Sequence, residues 1–255
     1  MSIYEKPTKT LMREFAAAQL KKGQIFDKKL AVDWFAKHYP KIRSTTIQMH
    51  VEGMAVNATL RRHHPNVKEG SGHDLFFKVA PGKFRLWDAA TDPPPAYGDQ
   101  LLNPESGQTA EDDATERDEH EEEVTSSEFA FERDLRNYLA KNLQSLETGL
   151  RLYTEEGFTG LEFPVGGRFI DILAVDAQDG FVVIELKVSR GYDRVIGQLM
   201  RYMAWVQKHL ADGACVRGAI VASEITEDLK LAASLLPGVK LIEYEIAFSL
   251  KHVKI

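Results

Sequence analysis

Gly166-Gly167-Arg168-Phe169-Ile170-Asp171-Ile172-Leu173-Ala174-Val175 and Phe181-Val182-Val183-Ile184-Glu185-Leu186-Lys187-Val188 are the two stretches that decide the fold. Each is a short apolar run rich in β-branched residues, and an Asp-Ala-Gln-Asp-Gly turn separates them. They read as adjacent antiparallel strands. Both carry charge where a buried strand should be apolar. Asp171 lies between Ile170 and Ile172, and Leu186 separates Glu185 from Lys187. A spacing of two puts Glu185 and Lys187 on one face of their strand, and the hairpin brings Asp171 onto the neighbouring strand. Left unpaired in a core, such groups would be strongly destabilising. Two carboxylates and an ammonium converging at a sheet end can hold Mg2+ and still compensate charge. A hard cation wants oxygen ligands and keeps positions open for water and phosphate. Metal-assisted phosphodiester hydrolysis is the chemistry that suits such a set.

Working outward, Ser126 or Ser127 opens a helix with Phe129, Phe131, Leu135, Tyr138, Leu139 and Leu143 on its apolar side. Residues 149–165 read as two short strands. After the quoted pair come a helix over 193–210, a strand over 216–222, a helix over 226–236 and a strand over 239–246. This order gives residues 128–255 an α/β domain, a central mixed sheet flanked by helices.

Ile170-Asp171, thirteen intervening residues and then Glu185-Leu186-Lys187 resemble the motif of the PD-(D/E)xK nuclease superfamily. Gln198-Leu199-Met200-Arg201-Tyr202 resembles the QxxxY element of its RecB-like members, and Phe131-Glu132-Arg133-Asp134-Leu135 their first-helix acidic motif. With VVIELK, GQLMRYMAWV and VRGAIVAS, the chain from about 128 to 250 is similar to the C-terminal domain of NucS (EndoMS) endonucleases. The resemblance implies a restriction-endonuclease-like fold and a Mg2+-dependent DNA endonuclease, with Mn2+ as a substitute ion. It also implies roles. Asp171 and Glu185, with the carbonyl of Leu186, would bind the metal, and Glu132 would add a contact from the first helix. Lys187 would orient the attacking water or stabilise charge on the phosphate. Gln198 would position the catalytic strand or substrate with Tyr202 in support, and Arg168 would contact the DNA backbone. Phe169 is an extra residue between Arg168 and Ile170-Asp171 relative to the commoner spelling of the motif. The tail FSLKHVKI has no Gln-led, double-aromatic peptide, so docking to a sliding clamp is not expected.

The first 89 residues read differently. They suggest helices over 11–20 and 27–38, a third opening at Ser44, Thr45 or Thr46, and a hairpin across Leu75–Trp87 turned by Pro81-Gly82. Three helices and a basic hairpin resemble the α+β winged helix-turn-helix domains fused to restriction-type nucleases. That resemblance implies Thr45, Thr46, Gln48 and Met49 as base readers at the start of the third helix. Arg61, Arg62, Lys78, Lys83 and Arg85 would sit on phosphates. His50, His63, His64 and His73 match no zinc spacing and have no cysteine partner nearby.

Charge divides the 255 residues in the same way. The net value of −6 averages +8 over residues 1–89, −11 over 90–127 and −3 over 128–255. The middle segment is rich in Pro, Asp, Glu, Ser and Thr, which marks a flexible acidic linker. One cysteine, Cys215, excludes an internal disulfide, and no apolar run is long enough for a membrane span. A soluble cytoplasmic protein with DNA as its partner is expected, in a restriction, defence or repair setting. A two-fold homodimer would suit cutting both antiparallel strands. A non-catalytic DNA-binding regulator on a nuclease-like fold and an RNA-cleaving nuclease are the alternative readings.

Overall fold

The computed structural model describes residues 3–64, 66–97, 126–166, 168–187 and 194–246. The acidic run from 98 to 125, the 188–193 connection and the tail FSLKHVKI lie outside the described residues. The chain divides into two compact units, one drawn from residues 1–121 and 153–169, the other from 122–152 and 170–255.

In the first unit, α1 (Thr8–Gln19) buries Leu11, Met12, Phe15 and Ala16, the stripe that a helical period predicts. Strand β1 (Phe26–Asp27) leads straight into α2 (Lys28–His38), whose first turn is capped by Asp27 accepting from the Leu30 amide. Then come α3 (Ser44–Gly53), a short 3-10 turn at Thr59–His63, and the hairpin β2 (Phe76–Ala80) and β3 (Lys83–Leu86). Gly82 at φ +66 makes the predicted Pro-Gly turn. The three strands form an antiparallel sheet in the order β1-β3-β2. Phe15, Phe26, Phe35, Phe76 and Phe84 are buried together, with the Phe26 and Phe76 rings 5.1 Å apart.

Residues 90–97, expected to begin the linker, instead pack onto this core. The Ala96 amide donates to Val56, Tyr97 donates to Asp74 (2.7 Å), and Asp92 accepts twice from Arg85 (2.6 and 2.5 Å). Arg61 anchors the strap. Its buried guanidinium donates to the Ala96 carbonyl (2.9 Å), pairs with Asp74 and lies over the Tyr97 ring.

The same unit includes a hairpin from the later sequence, β5 (Thr154–Glu155) and β6 (Phe158–Thr159). Glu155 accepts from Arg43 (3.0 Å) and the Thr46 hydroxyl (3.2 Å) at the start of α3. Glu156 accepts from Thr8 and the Ile3 amide. Phe158 inserts beside His50 and His64, with ring centroids 5.0 and 4.3 Å away. A single domain boundary near residue 128 therefore does not describe the structure, because these side chains find their partners more than 90 residues upstream.

His50 and His64 are buried beside Phe158, and His73 is buried next to His64, their ring centroids 5.0 Å apart. Burial, reinforced by the charges of His64 and His73, pushes His50 down to about 3; burial and the charge of His73 push His64 to about 3, and burial with Lys9 and Arg61 pushes His73 to about 4. Unfolding restores their ordinary value of 6.5, so the unfolded chain binds more protons as acid is added. Their contribution to stability is whole above pH 6.5 and drains as pH falls toward 4, with a limiting slope of about 4 kcal/mol per pH unit for three groups. Thermal scans should show this unit melting well below its pH 7 midpoint by pH 5. A constant midpoint over that range would contradict the burial of neutral histidines.

The second unit is built on a sheet in the order β11-β10-β9-β8-β4. Its strands are β4 (Arg151–Leu152), β8 (Arg168–Val175), β9 (Phe181–Lys187), β10 (Val216–Ala222) and β11 (Val239–Glu243). Pairing is antiparallel across β4-β8 and β8-β9 and parallel across β9-β10 and β10-β11, so the sheet is mixed as expected. Strand β7 (Leu161–Val165) also pairs with β8. The turn before β9 forms as read: Asp176 accepts from the Gln178 and Gly180 amides, and Asp179 takes a left-handed φ of 63°. Helix α4 (Ser126–Lys141) packs on β9, α5 (Val195–His209) on β9 and β10, and α6 (Glu227–Ala233) on β11. Phe131 and Tyr138, expected on the apolar side of α4, are exposed, while Leu135 and Leu139 carry the buried face.

Gly218 lets α5 approach β10, because a Cβ there would lie 2.7 Å from Met203 Sδ and 2.8 Å from Leu199. Gly218→Val should therefore cost about 1–3 kcal/mol, read as a lowered denaturation midpoint. An unchanged midpoint would refute the close approach.

Candidate active site

Residues Phe181 to Leu186 of β9 are all buried, as for a strand covered on both faces. That burial includes Glu185. Ile172 pairs with Ile184 in the β8-β9 register, so one step further sets Asp171 beside Glu185. Asp171 Oδ2 accepts from the Leu186 amide at 2.8 Å, which fixes the carboxylate to the neighbouring strand. Lys187 Nζ stands 3.7 Å from Glu185 Oε1.

Charge at this point is strongly coupled. Burial, then the Asp171 carboxylate, push Glu185 well above the usual carboxylate range; Lys187 pulls it down and Glu132 pushes it up again. Asp171, Lys187 and Glu132, from β8, β9 and α4, all act on Glu185. On α5, Gln198 Nε2 donates to the Tyr202 hydroxyl at 3.3 Å, and Tyr202 is buried. Arg168 is half-buried at the start of β8.

The donor set suits a divalent cation. Glu185 Oε2 is buried with no hydrogen-bond partner, an expensive state for a carboxylate oxygen. Coordination to an ion would satisfy it. Among the described residues no three His, Cys, Asp or Glu side chains form a chelating group. Two carboxylates, a backbone carbonyl, water and substrate oxygens are nevertheless what Mg2+ commonly takes.

One residue escaped the sequence reading. Arg136, on the buried face of α4, places its guanidinium 3.7 Å from Asp171 Oδ1. The available signal was its position one helical turn after Glu132 and three residues before Leu139.

The expected DNA contacts fare unevenly. Thr45 and Thr46 are buried at the start of α3, Thr46 with its hydroxyl on Glu155, so neither faces outward as a base reader. Arg61 is buried in its Asp74 pair, and Arg85 is doubly bonded to Asp92 and stacked on Phe77. Gln48 and Lys83 are exposed and Lys78 is half-buried; Lys83 approaches Asp27 at 3.8 Å and Lys78 approaches Glu52 at 3.9 Å. The side chain of Arg62 lies outside the described residues.

The mixed sheet thus carries an acidic pair and a lysine on strands β8 and β9. Residues 131–243 match the family model of the endonuclease NucS C-terminal domain, and the C-terminal part of the chain is a NucS-like domain. Residues 7–86 match a domain of unknown function, DUF7669. Among solved structures, a repair endonuclease from Pyrococcus abyssi is similar at 25% identity over 45% of this chain and 46% of that one, with a TM-score of 0.38. EndoMS in complex with dsDNA aligns at 23% identity over 46% of each chain, TM-score 0.38. EndoMS in its apo form aligns at 24% over 46% of this chain and 47% of that one, TM-score 0.37. The chain thus spans about half the length of the solved structures it matches. No helix among the described residues is long and apolar enough to cross a membrane.

Proposed function

We propose that the chain is a metal-dependent endonuclease that hydrolyses DNA phosphodiester bonds, in a restriction, defence or repair setting. The observation that carries this reading is the buried, unpartnered Glu185 Oε2 beside Asp171 and Lys187, in a domain matching the NucS C-terminal model. Asp171 and Glu185, with the Leu186 carbonyl, would hold Mg2+ or Mn2+, which when bound polarises the phosphate and lowers the pKa of a water. Lys187 would orient the attacking water or offset charge growing on the phosphate. Glu132 would hold a metal-bound water from α4. Gln198, fixed by Tyr202, would align the strand or the substrate, and Arg168 would engage the DNA backbone.

The chemistry falls to residues 128–255 and the holding of DNA to residues 1–89, with an acidic linker inside 90–127. The element order α1-β1-α2-α3-β2-β3 and the +8 charge of residues 1–89 favour a winged helix-turn-helix for that holding role. Gln48, Lys78 and Lys83 are its best-exposed candidate contacts. A two-fold dimer would deliver two such sites to a duplex.

A panel of supercoiled, linear, single-stranded and mismatched DNA and of RNA, each with Mg2+, Mn2+ or chelator, tests the reading. Metal-dependent cleavage of DNA is expected, and inactivity on every DNA would overturn it.

A further inference from the structure

We propose that Arg136 is a positioning residue that stands in for the metal's charge at Asp171 and makes metal binding depend on DNA. The inference rests on the metal site proposed above and goes beyond it, since it assigns a role to a residue outside the acidic motif. Arg136 lies on α4 between Leu135 and Leu139, and its side chain is only 9% exposed. An arginine is always protonated, so burying it needs a standing negative partner. Asp171 is such a partner. Its two oxygens have separate duties: Oδ2 accepts the Leu186 amide at 2.8 Å, and Oδ1 faces the Arg136 guanidinium at 3.7 Å. The carboxylate is therefore held in one orientation from the strand side and from the helix side.

Asp171, Glu185 and Glu132 act on one another across this point, with Lys187 as the cation on the same strands. Without metal, Arg136 supplies a second positive charge and keeps the acids together. With metal, the same charge opposes the incoming cation, because a divalent ion reaching Asp171 Oδ1 must sit within a few ångströms of the guanidinium. A DNA phosphate entering the site adds negative charge on the open side and relieves that opposition. Arg136 thereby sets a threshold: free protein binds the ion weakly, and protein with DNA binds it tightly.

Mn2+ titrations of the full chain, with free ion followed by its magnetic resonance signal, test this. Arg136→Gln should tighten Mn2+ binding without DNA by roughly tenfold, and Arg136→Lys, which keeps the charge, should stay close to the parent. In chelator, Arg136→Gln should melt below the parent and gain more from added Mn2+. The parent should itself bind Mn2+ roughly tenfold more tightly in the presence of a cleavage-resistant phosphorothioate duplex. A folded Arg136→Gln chain with unchanged or weaker affinity would overturn the proposal, as would Arg136→Lys behaving like Arg136→Gln. If Arg136→Gln does not fold, the DNA-linked gain decides, and its absence in the parent counts against the proposal. A parent chain that binds no Mn2+ at all, with or without DNA, would refute the metal site itself and this inference with it.

Discussion

Glu185→Gln and Asp171→Asn should each lower metal-dependent DNA hydrolysis by a factor on the order of 10³ or more, equivalent to at least about 4 kcal/mol of transition-state stabilisation. Each removes a charged oxygen donor from a two-carboxylate set, and no other acidic pair is present to replace it on β8 and β9. The Glu185 change has a second, opposite signature. In the folded chain the carboxyl is buried beside Asp171 and near Glu132, and those causes raise it well above its ordinary value. An acid raised on folding is better tolerated protonated, so the metal-free protein loses stability through this group as pH rises above about 4.5. A neutral amide removes that penalty. Glu185→Gln should therefore unfold at or above the parent's midpoint at pH 7 in chelator while being inactive with metal. A variant both inactive and strongly destabilised would assign Glu185 to the architecture instead, and a fully active variant would dismiss the site.

Arg61→Met should lower the stability of the first unit by about 3–5 kcal/mol, the usual result of removing one partner from a buried ion pair. The change strips Asp74 of its guanidinium and leaves the Ala96 carbonyl without its donor. It also takes the cation from the face of Tyr97, 4.9 Å from the ring centre. For a unit of this size the loss corresponds to a midpoint lower by at least about 10 °C. A phosphate-contacting arginine on the surface would behave otherwise: stability within about 0.5 kcal/mol of the parent and a DNA affinity less sensitive to salt. Lys83→Gln should show that second pattern. An Arg61→Met chain with an unchanged melting profile and weakened DNA binding would return Arg61 to the DNA interface.

The contrast between these two residues marks what a linear reading can and cannot resolve. Asp171 and Glu185 were legible because each interrupts an apolar strand, and the turn between them is spelled by Asp179-Gly180. Local patterns also placed a helix at about 27–38, the Pro81-Gly82 hairpin, and Gln198 one turn from Tyr202. Arg61 was misplaced because an Arg-Arg-His-His run in a basic segment has the composition of a surface, whereas its partners lie 13 and 35 residues away. Thr46 looks like an exposed polar residue at a helix start until Glu155 is brought to it from 109 residues further on. The stretch before β8 reads as two strands but forms four, because Glu156 and Gly157, both at positive φ, fold it into a separate hairpin. Arg136 was hidden inside an apolar helix face whose charge makes sense only beside Asp171. For Arg61, Thr46 and Arg136 the missing information was a partner distant in sequence.

Asp171, Glu185 and Lys187 form the proposed hydrolytic centre acting on DNA. Incubating the purified chain with supercoiled DNA tests it most directly, comparing parent and Glu185→Gln in Mg2+, in Mn2+ and in excess chelator. Nicked or linear products are expected from the parent with metal, none in chelator, and none from Glu185→Gln under any condition. Cleavage that survives chelation or the Glu185→Gln change, or a parent chain that leaves the DNA intact with both ions, would contradict it.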